Sequence, residues 1–292
     1  MRRTATITII HISVVLLALA VAGRAQYGDG YCQLIDRLDD PIWEAYLGYA
    51  HEAGGDGFRK LGMIESGITS GLLYFQTGVG EFDLVADLHS TSFTGRGNPE
   101  LPDLLLATHL DLDYTVRSDD GYALRLGVAP GFYTESAYFG SDHLFYPFRI
   151  HGIRSFSPDT SALLGLNLYP GFHHLVKPRV GVRWAVSDYL LLDAFYPKTE
   201  LVARPTYNWT VRAGVEIRDD LEYRLSGSDA RKSLMLRDMR LYAGLDWMFT
   251  HNLQLQFQVA RSTDRTLDFR RMEGKRDLDD TYHFRIGIGG LI

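Results

Sequence analysis

Charged side chains stand at every second position in several stretches of this chain, and that spacing limits the chemistry open to them. His109, Asp111, Asp113 and Arg117 alternate with Leu110, Leu112, Tyr114 and Val116, and Arg212 and Glu216 alternate with Val211, Val215 and Ile217. Residues two apart on an extended strand share a face. The same parity groups Arg125, Arg179, Arg183, Asp193, Asp238, Arg240, Asp246 and Arg285 with them. Acids and arginines on one enclosed face need each other as partners. Two roles follow: a polar constriction that selects small solutes by charge, or a structural ion-pair network that fills its own space.

Other constellations carry less. His173-His174 and Asp142-His143 supply two neighbouring candidate ligands each, short of the three that a metal site needs, and exposed loop histidines are the plainer reading. A hydrolase would need a Ser, a His and an acid or amide in mutual reach. His109 and Ser155 are available, but no spacing brings them together. Asn208-Trp209-Thr210 matches a glycosylation acceptor inside an extended stretch and is set aside. The expectation is therefore no enzyme, no catalytic or metal set and no cofactor.

The elements that must position the charged rows are strands. Between Met239 and Ala260 an odd-numbered apolar row runs Met239, Leu241, Ala243, Leu245, Trp247, Phe249 and resumes after Thr250-His251-Asn252 as Leu253, Leu255, Phe257, Val259. The period is two, and the pair reads as a hairpin. Similar segments fall at 81–91, 103–117, 121–132, 145–155, 161–171, 178–187, 189–197, 206–218, 220–226, 236–249, 252–262 and 280–291. Each has roughly the ten residues that a tilted membrane strand requires. Gly71 to Gly78 offers one further extended piece, so about 12 strands are expected, within a range of 10–14.

The connections separate into two alternating classes. Ser118–Gly121, Phe156–Thr160, Ser187–Asp188, Arg218–Asp220 and Thr250–Asn252 are short, whereas 92–102, 133–144, 172–177, 198–205, 227–235 and 263–279 are longer. Short periplasmic turns alternating with longer outer loops, and an even strand count, are properties of outer-membrane barrels. Tyr114, Tyr122, Trp184, Trp247 and Phe249 lie near the short turns, and Tyr207, Trp209, Tyr282 and Phe284 towards the long loops, as two aromatic girdles would. Gly127, Gly165, Gly181, Gly214, Gly244 and Gly287 recur on the inward rows, where a missing side chain relieves crowding and permits curvature.

Before the strands, residues 1–25 read as a secretory signal peptide: Met1-Arg2-Arg3, an apolar run from Ile7 to Val21, then Ala22-Gly23-Arg24-Ala25. Residues 26–67 form a separate segment, periplasmic or plugging. Within it Asp40-Pro41 as N-cap and first turn, and Gly54-Gly55 as stop, predict a short helix from Pro41 to Ala53. The barrel itself is expected over 68–292.

Composition excludes other classes. The chain of 292 residues is 46% hydrophobic with a net charge of -6, so nucleic acid is not an expected partner. One cysteine, Cys32, rules out an internal disulfide. The stretch Arg261 to Asp280, with Arg265, Arg270, Arg271, Lys275 and Arg276, reads as a solvated outer loop whose cations could meet lipopolysaccharide phosphates.

The closing run Tyr282-His283-Phe284-Arg285-Ile286-Gly287-Ile288 with Leu291-Ile292 resembles the C-terminal signature of outer-membrane barrels, with Ile292 where an aromatic is usual. Three stretches, Gly181 to Pro197, Leu241 to Asp246, and Asp279-Asp280 with the last strand, resemble a family of outer-membrane β-barrel proteins catalogued only as a domain of unknown function. The resemblance spans roughly residues 70 to 292. It implies an all-β, transmembrane antiparallel up-and-down β-barrel, outer-membrane lipid as solvent and the barrel assembly machinery as partner, and no activity. The expected function is a passive channel or solute-uptake pore for small polar solutes. The alternatives are a non-conducting structural or adhesive barrel and, third, an outer-membrane hydrolase.

Overall fold

The computed structural model describes residues 43–55, 58–94, 101–135, 140–218, 222–225, 232–270 and 274–290. Eighteen hydrogen-bonded segments form one sheet. Four strands are each interrupted once, so the closed wall has fourteen. They are β1 Trp43–Gly55, β2 Phe58–Gln76, β3 Gly80–Thr94, β4 Leu104–Arg117, β5 Tyr122–Val128 with Gly131–Glu135, β6 Leu144–Phe145 with Phe148–Ser157, and β7 Thr160–Leu168. There follow β8 Val176–Ser187, β9 Leu190–Tyr196, β10 Lys198–Thr206, β11 Trp209–Arg218 with Glu222–Arg224, β12 Ser233–Thr250, β13 Leu253–Arg270, and β14 Gly274–Leu278 with Thr281–Gly290. Each strand pairs antiparallel with the next, and β14 closes on β1 from Trp43↔Gly290 to Ala50↔His283. Closure leaves no edge with unpaired backbone groups, the condition for crossing a bilayer with strands.

The parity expected of β4, β8, β11 and the β12–β13 hairpin holds. Along β8 exposure alternates residue by residue, Val180, Val182, Trp184 and Val186 outside and Arg179, Gly181, Arg183 and Ala185 inside. Outward rows leave large apolar side chains bare on strand after strand, Leu164 at 70% and Leu241 at 62% among them. A soluble protein does not carry an apolar surface of that extent. The outer wall therefore faces hydrocarbon.

Several expectations are corrected. The helix from Pro41 to Ala53 is absent: Trp43–Gly55 is a strand, with β2 on one side and β14 on the other. Backbone pairing on both sides outweighs a capping signal and local propensity. Residues 43–55 and 58–67 are wall and not a separate periplasmic or plug segment; the signal peptide of 1–25, residues 26–42, Cys32 and the terminal Leu291-Ile292 lie outside the described residues. The stretch 198–205, expected as a loop, is β10. The segment expected after a turn at Arg218–Asp220 is not a separate strand: Arg218↔Asp238 and Glu222↔Met235 both lie on β12, so 222–224 continues β11 rather than reversing. With β1, β2 and β10 added and 220–226 absorbed, about 12 strands become fourteen. Most of 263–279 is strand too. Tyr207 and Trp209 sit at a short turn, not towards the long loops, and Trp209 stacks on Trp247 with centroids 5.7 Å apart.

At the loop end the strands outrun the membrane. β12 and β13 have 18 residues each. At about 3.3 Å per residue they extend on the order of 60 Å, against the ~9–11 residues that a crossing needs. Their inward faces there are apolar and join residues from across the mouth: Leu61, Leu105, Ala107, Tyr133, Phe145, Phe172, Tyr223, Leu225, Leu234, Leu267, Phe269 and Leu278 form one buried cluster. This core fills the outer end of the barrel.

Candidate functional site: the lumen

Below that core the interior is polar. A cavity of about 480 Å3 is lined from β1–β4 by Glu44, Tyr46, Glu65, Asp87, His89 and His109, and from β10–β14 by Lys198, Glu200, Arg212, Glu216, Arg218, Arg240, Tyr242, Asp246, Gln256, Gln258, His283 and Arg285. The strands project these side chains inward because each stands at the parity opposite to the lipid-facing row.

The charges are arranged in pairs. On β11 Arg212 donates from Nε to Asp246 at 2.6 Å and from NH1 to Glu200 at 3.3 Å, and Lys198 Nζ lies 3.4 Å from Glu200. Arg183 forks onto Asp193 at 2.7 and 2.8 Å. Arg149 joins Asp111 at 2.5 Å and Asp113 at 2.8 Å, and His109 lies 3.5 Å from Asp111 and 4.0 Å from Asp87. Arg117 meets Glu81 at 3.1 Å. Arg285 bonds to Glu44 and covers the Tyr46 ring at 3.7 Å. Arg125 donates to Thr115 Oγ1 at 3.3 Å and shares a ladder row with His151, Gly165 and Arg179. Glu216 stands in register between Lys198 and Arg240.

One group of pairs crosses the lumen. Glu65 on β2 accepts from Arg218 of β11 at 2.8 Å and from Arg240 of β12 at 2.7 and 3.0 Å, although these strands are not neighbours in the wall. Arg240 also reaches Asp238 at 2.8 Å, and Ser262 donates to the same carboxylate at 3.0 Å. Glu65 is 7% exposed. At this depth a buried carboxylate shared by two guanidiniums closes part of the cross-section directly beneath the apolar core.

Three inward glycines let partners touch across an intervening strand. Gly67 lies in register between Tyr46 and His89, whose hydroxyl and Nδ1 are 2.5 Å apart. Gly127 lies between Asp113 and Arg149. Gly214 lies between Glu200 and Tyr242, whose hydroxyl donates to that carboxylate at 2.9 Å. A Cβ at Gly67 would run into the Tyr46 ring, one at Gly127 into both Asp113 and Arg149, and one at Gly214 into the Thr199 carbonyl and Tyr242.

Glu44, Glu65, Glu81, Asp87, His89, Arg149, His151, Lys198 and Glu200 escaped the sequence reading. For those on β1, β2 and β10 the signal was parity in stretches not recognised as strands; Arg149, on a recognised strand, shares the inward parity of the row it joins. His109 and Ser155 are not brought together. Ser155 donates its N–H to Gly121 beside a short turn, while His109 pairs with Gly131 towards the other end. His173 and His174 stack edge to face, centroids 4.8 Å apart. Among the described residues no group of three or more His, Cys, Asp or Glu could hold a metal.

No protein-family model matches the chain, and no curated protein does. Solved structures similar to it are outer-membrane barrels. An outer-membrane channel from Pseudomonas putida F1 is 13% identical with a TM-score of 0.45, covering 92% of this chain and 100% of that one. A Pseudomonas aeruginosa FadL homologue is 10% identical at 0.45, covering 86% and 90%. The NanC porin is 10% identical at 0.41, covering 86% and 100%. What this chain's own structure shows is a closed antiparallel fourteen-strand barrel with an apolar outer wall.

Proposed function

We propose that the protein is a channel for small polar solutes, with the charged lumen as its path and its loop end closed in the conformation described. The observation that carries this reading is the polar cavity within the bilayer-spanning part of the wall. A barrel interior meant only to be filled needs no such space. The paired acids and arginines would offer hydrogen bonds to a polar solute while presenting little net charge, so selection would be by size and polarity more than by sign. Reconstitution into planar bilayers tests it: discrete conductance steps that disappear in protein-free controls are expected, and a barrel that stays silent across voltages, even when substitutions loosen its closed loop end, removes the channel reading.

A second reading is favoured by the ion-paired lumen and the packed outer end: a non-conducting barrel that stabilises the envelope or displays its loops. It predicts silence in the same recordings and an envelope defect on deletion. For either reading we infer export by a Sec-type signal over residues 1–25 and insertion by the barrel assembly machinery. Arg261, 56% exposed beside Asp280, and Lys275 beside Asp277 supply cations at the loop end that lipopolysaccharide phosphates could meet.

A further inference from the structure

We propose that the outer end of the barrel is a gate, in which the tip of β11 at Glu222–Leu225 and the connection 169–175 close the mouth together and must leave it for a solute to pass. The proposal rests on the channel reading and specifies its regulation. Four observations support it. Arg224 pairs with Thr134 in parallel, whereas the strand-to-strand pairings of the wall are antiparallel. Along the wall β11 and β5 are separated by β6–β10, so this contact spans the mouth.

The tip and the connection also fill the core from opposite sides. Tyr223 is 1% exposed, and Leu225 and Phe172 are buried beside it. Phe172 packs against Tyr133 at 5.2 Å and Phe145 at 4.4 Å between centroids. It is turned in by Gly171 at φ 89, a left-handed conformation that suits glycine. Polar contacts bind the two pieces to each other: His173 N–H donates to Glu222 at 2.5 Å, and Arg224 NH2 donates to Gly171 O at 3.1 Å. Ser233 of β12 holds Glu222 from behind.

Finally, the wall does not need the tip. The β11–β12 ladder runs unbroken from Trp209↔Trp247 to Arg218↔Asp238, and β10 pairs with β11 along the same part. Lifting 222–225 and 169–175 would therefore open the outer core while the membrane-spanning ladder stays paired. Glu65 with Arg218 and Arg240 would then be the next layer that a solute meets.

The test is a reversible lock, Thr134→Cys with Arg224→Cys in a Cys32→Ser background. Adjacent strands lie about 4.8 Å apart, within the reach of a disulfide. Folding is checked by heat-modifiable mobility and cross-linking by mass. Oxidised barrels are expected to lose conductance in planar bilayers and to recover the Cys32→Ser level with reductant. Phe172→Ala, which empties the centre of the closure, is expected to increase open time, and Glu222→Ala to do the same by releasing His173 and Ser233. Conductance equal in oxidised and reduced barrels overturns the gate and leaves the channel reading standing. Failure of the two cysteines to bond in folded barrels overturns the closed mouth. Silence of the parent, Phe172→Ala and Glu222→Ala together sinks the channel reading and the gate with it.

Discussion

Single residues decide whether the lumen can be both charged and stable. Glu65 neutralises two guanidiniums from strands on the other side of the barrel. Taking one partner away from a buried set leaves uncompensated charge, at a cost of about 3–5 kcal/mol. Glu65→Ala should therefore lower the unfolding free energy measured by urea titration by an amount in that range, and Glu65→Gln, which keeps the acceptor shape, by less. Equal effects of the two variants would mean that the charge is not what matters. The glycines act on the same network from the backbone side. A Cβ at Gly127 would meet both Asp113 and Arg149, whereas one at Gly152, on the outer face, meets only Leu164 O at 3.7 Å. Gly127→Ala should destabilise by about 1–3 kcal/mol through overpacking. Gly152→Ala should fall within about 0.5 kcal/mol of the parent. If denaturant titration gives the two variants the same stability, the row-bridging role assigned to Gly127 is wrong.

At the scale of elements, the places where strands change phase matter most. In β13 Gln256, Gln258, Ala260 and Ser262 face inward, yet beyond Asp264 it is Arg265, Leu267 and Phe269 that are buried. Asp264 sits at φ 51 in a bulge between the pairings Met239↔Thr263 and Arg237↔Thr266. One extra residue moves every later side chain to the opposite face. A left-handed conformation costs an L-residue roughly 1–2 kcal/mol, least for Gly, Asn and Asp. Asp264→Val should lose about 1–2 kcal/mol, while Asp264→Gly keeps the bulge; thermal unfolding of the two, with the same ranking required, is the check. The same bulge explains what was legible in the chain. Rows of constant phase, as in β4, β8, β11 and the lower β12–β13 hairpin, exposed their lumen residues directly, and Arg212, Asp246 and Arg183 followed. Where the phase slips, at Asp264 or between Gly71 and Leu73 of β2, alternation averages out and a strand looks like a loop. In β1 the spacing of Trp43, Tyr46, Leu47 and Ala50 fits a helix face, and pairing with β2 and β14 overrides it, leaving Leu47 exposed outside and Ala50 buried inside. Glu65 and Glu200 were hidden for that reason: their strands were not recognised, so their parity could not be used.

The whole molecule has two solvents, lipid around the lower wall and water around an outer end packed like a soluble core. Local pattern cannot show that second part, because Leu105, Tyr133 and Phe145 of the neighbouring strands β4–β6 meet Leu61 of β2, Tyr223 of β11 and Leu267 of β13 only once the barrel closes. Lipid contact, by contrast, makes a sharp and depth-dependent demand. Leu164 lies midway along β7 and Phe156 close to the short turn after β6; both are exposed on the isolated chain, at 70% and 66%. If water surrounded the wall, an arginine at either position would change stability by no more than about 0.5 kcal/mol. In a bilayer the cost is about 2–4 kcal/mol at the midplane and ~0–1 near the interface. Leu164→Arg should therefore be strongly destabilised in urea titrations of vesicle-folded protein, and Phe156→Arg hardly at all. Leu267→Ala, in the outer core, should lose about 2–5 kcal/mol by leaving a cavity, and its loss should be the same in vesicles and in detergent because no lipid touches it. A Leu164→Arg barrel as stable as its parent in vesicles would place the wall in water, and the lumen would then no longer be a path across a membrane.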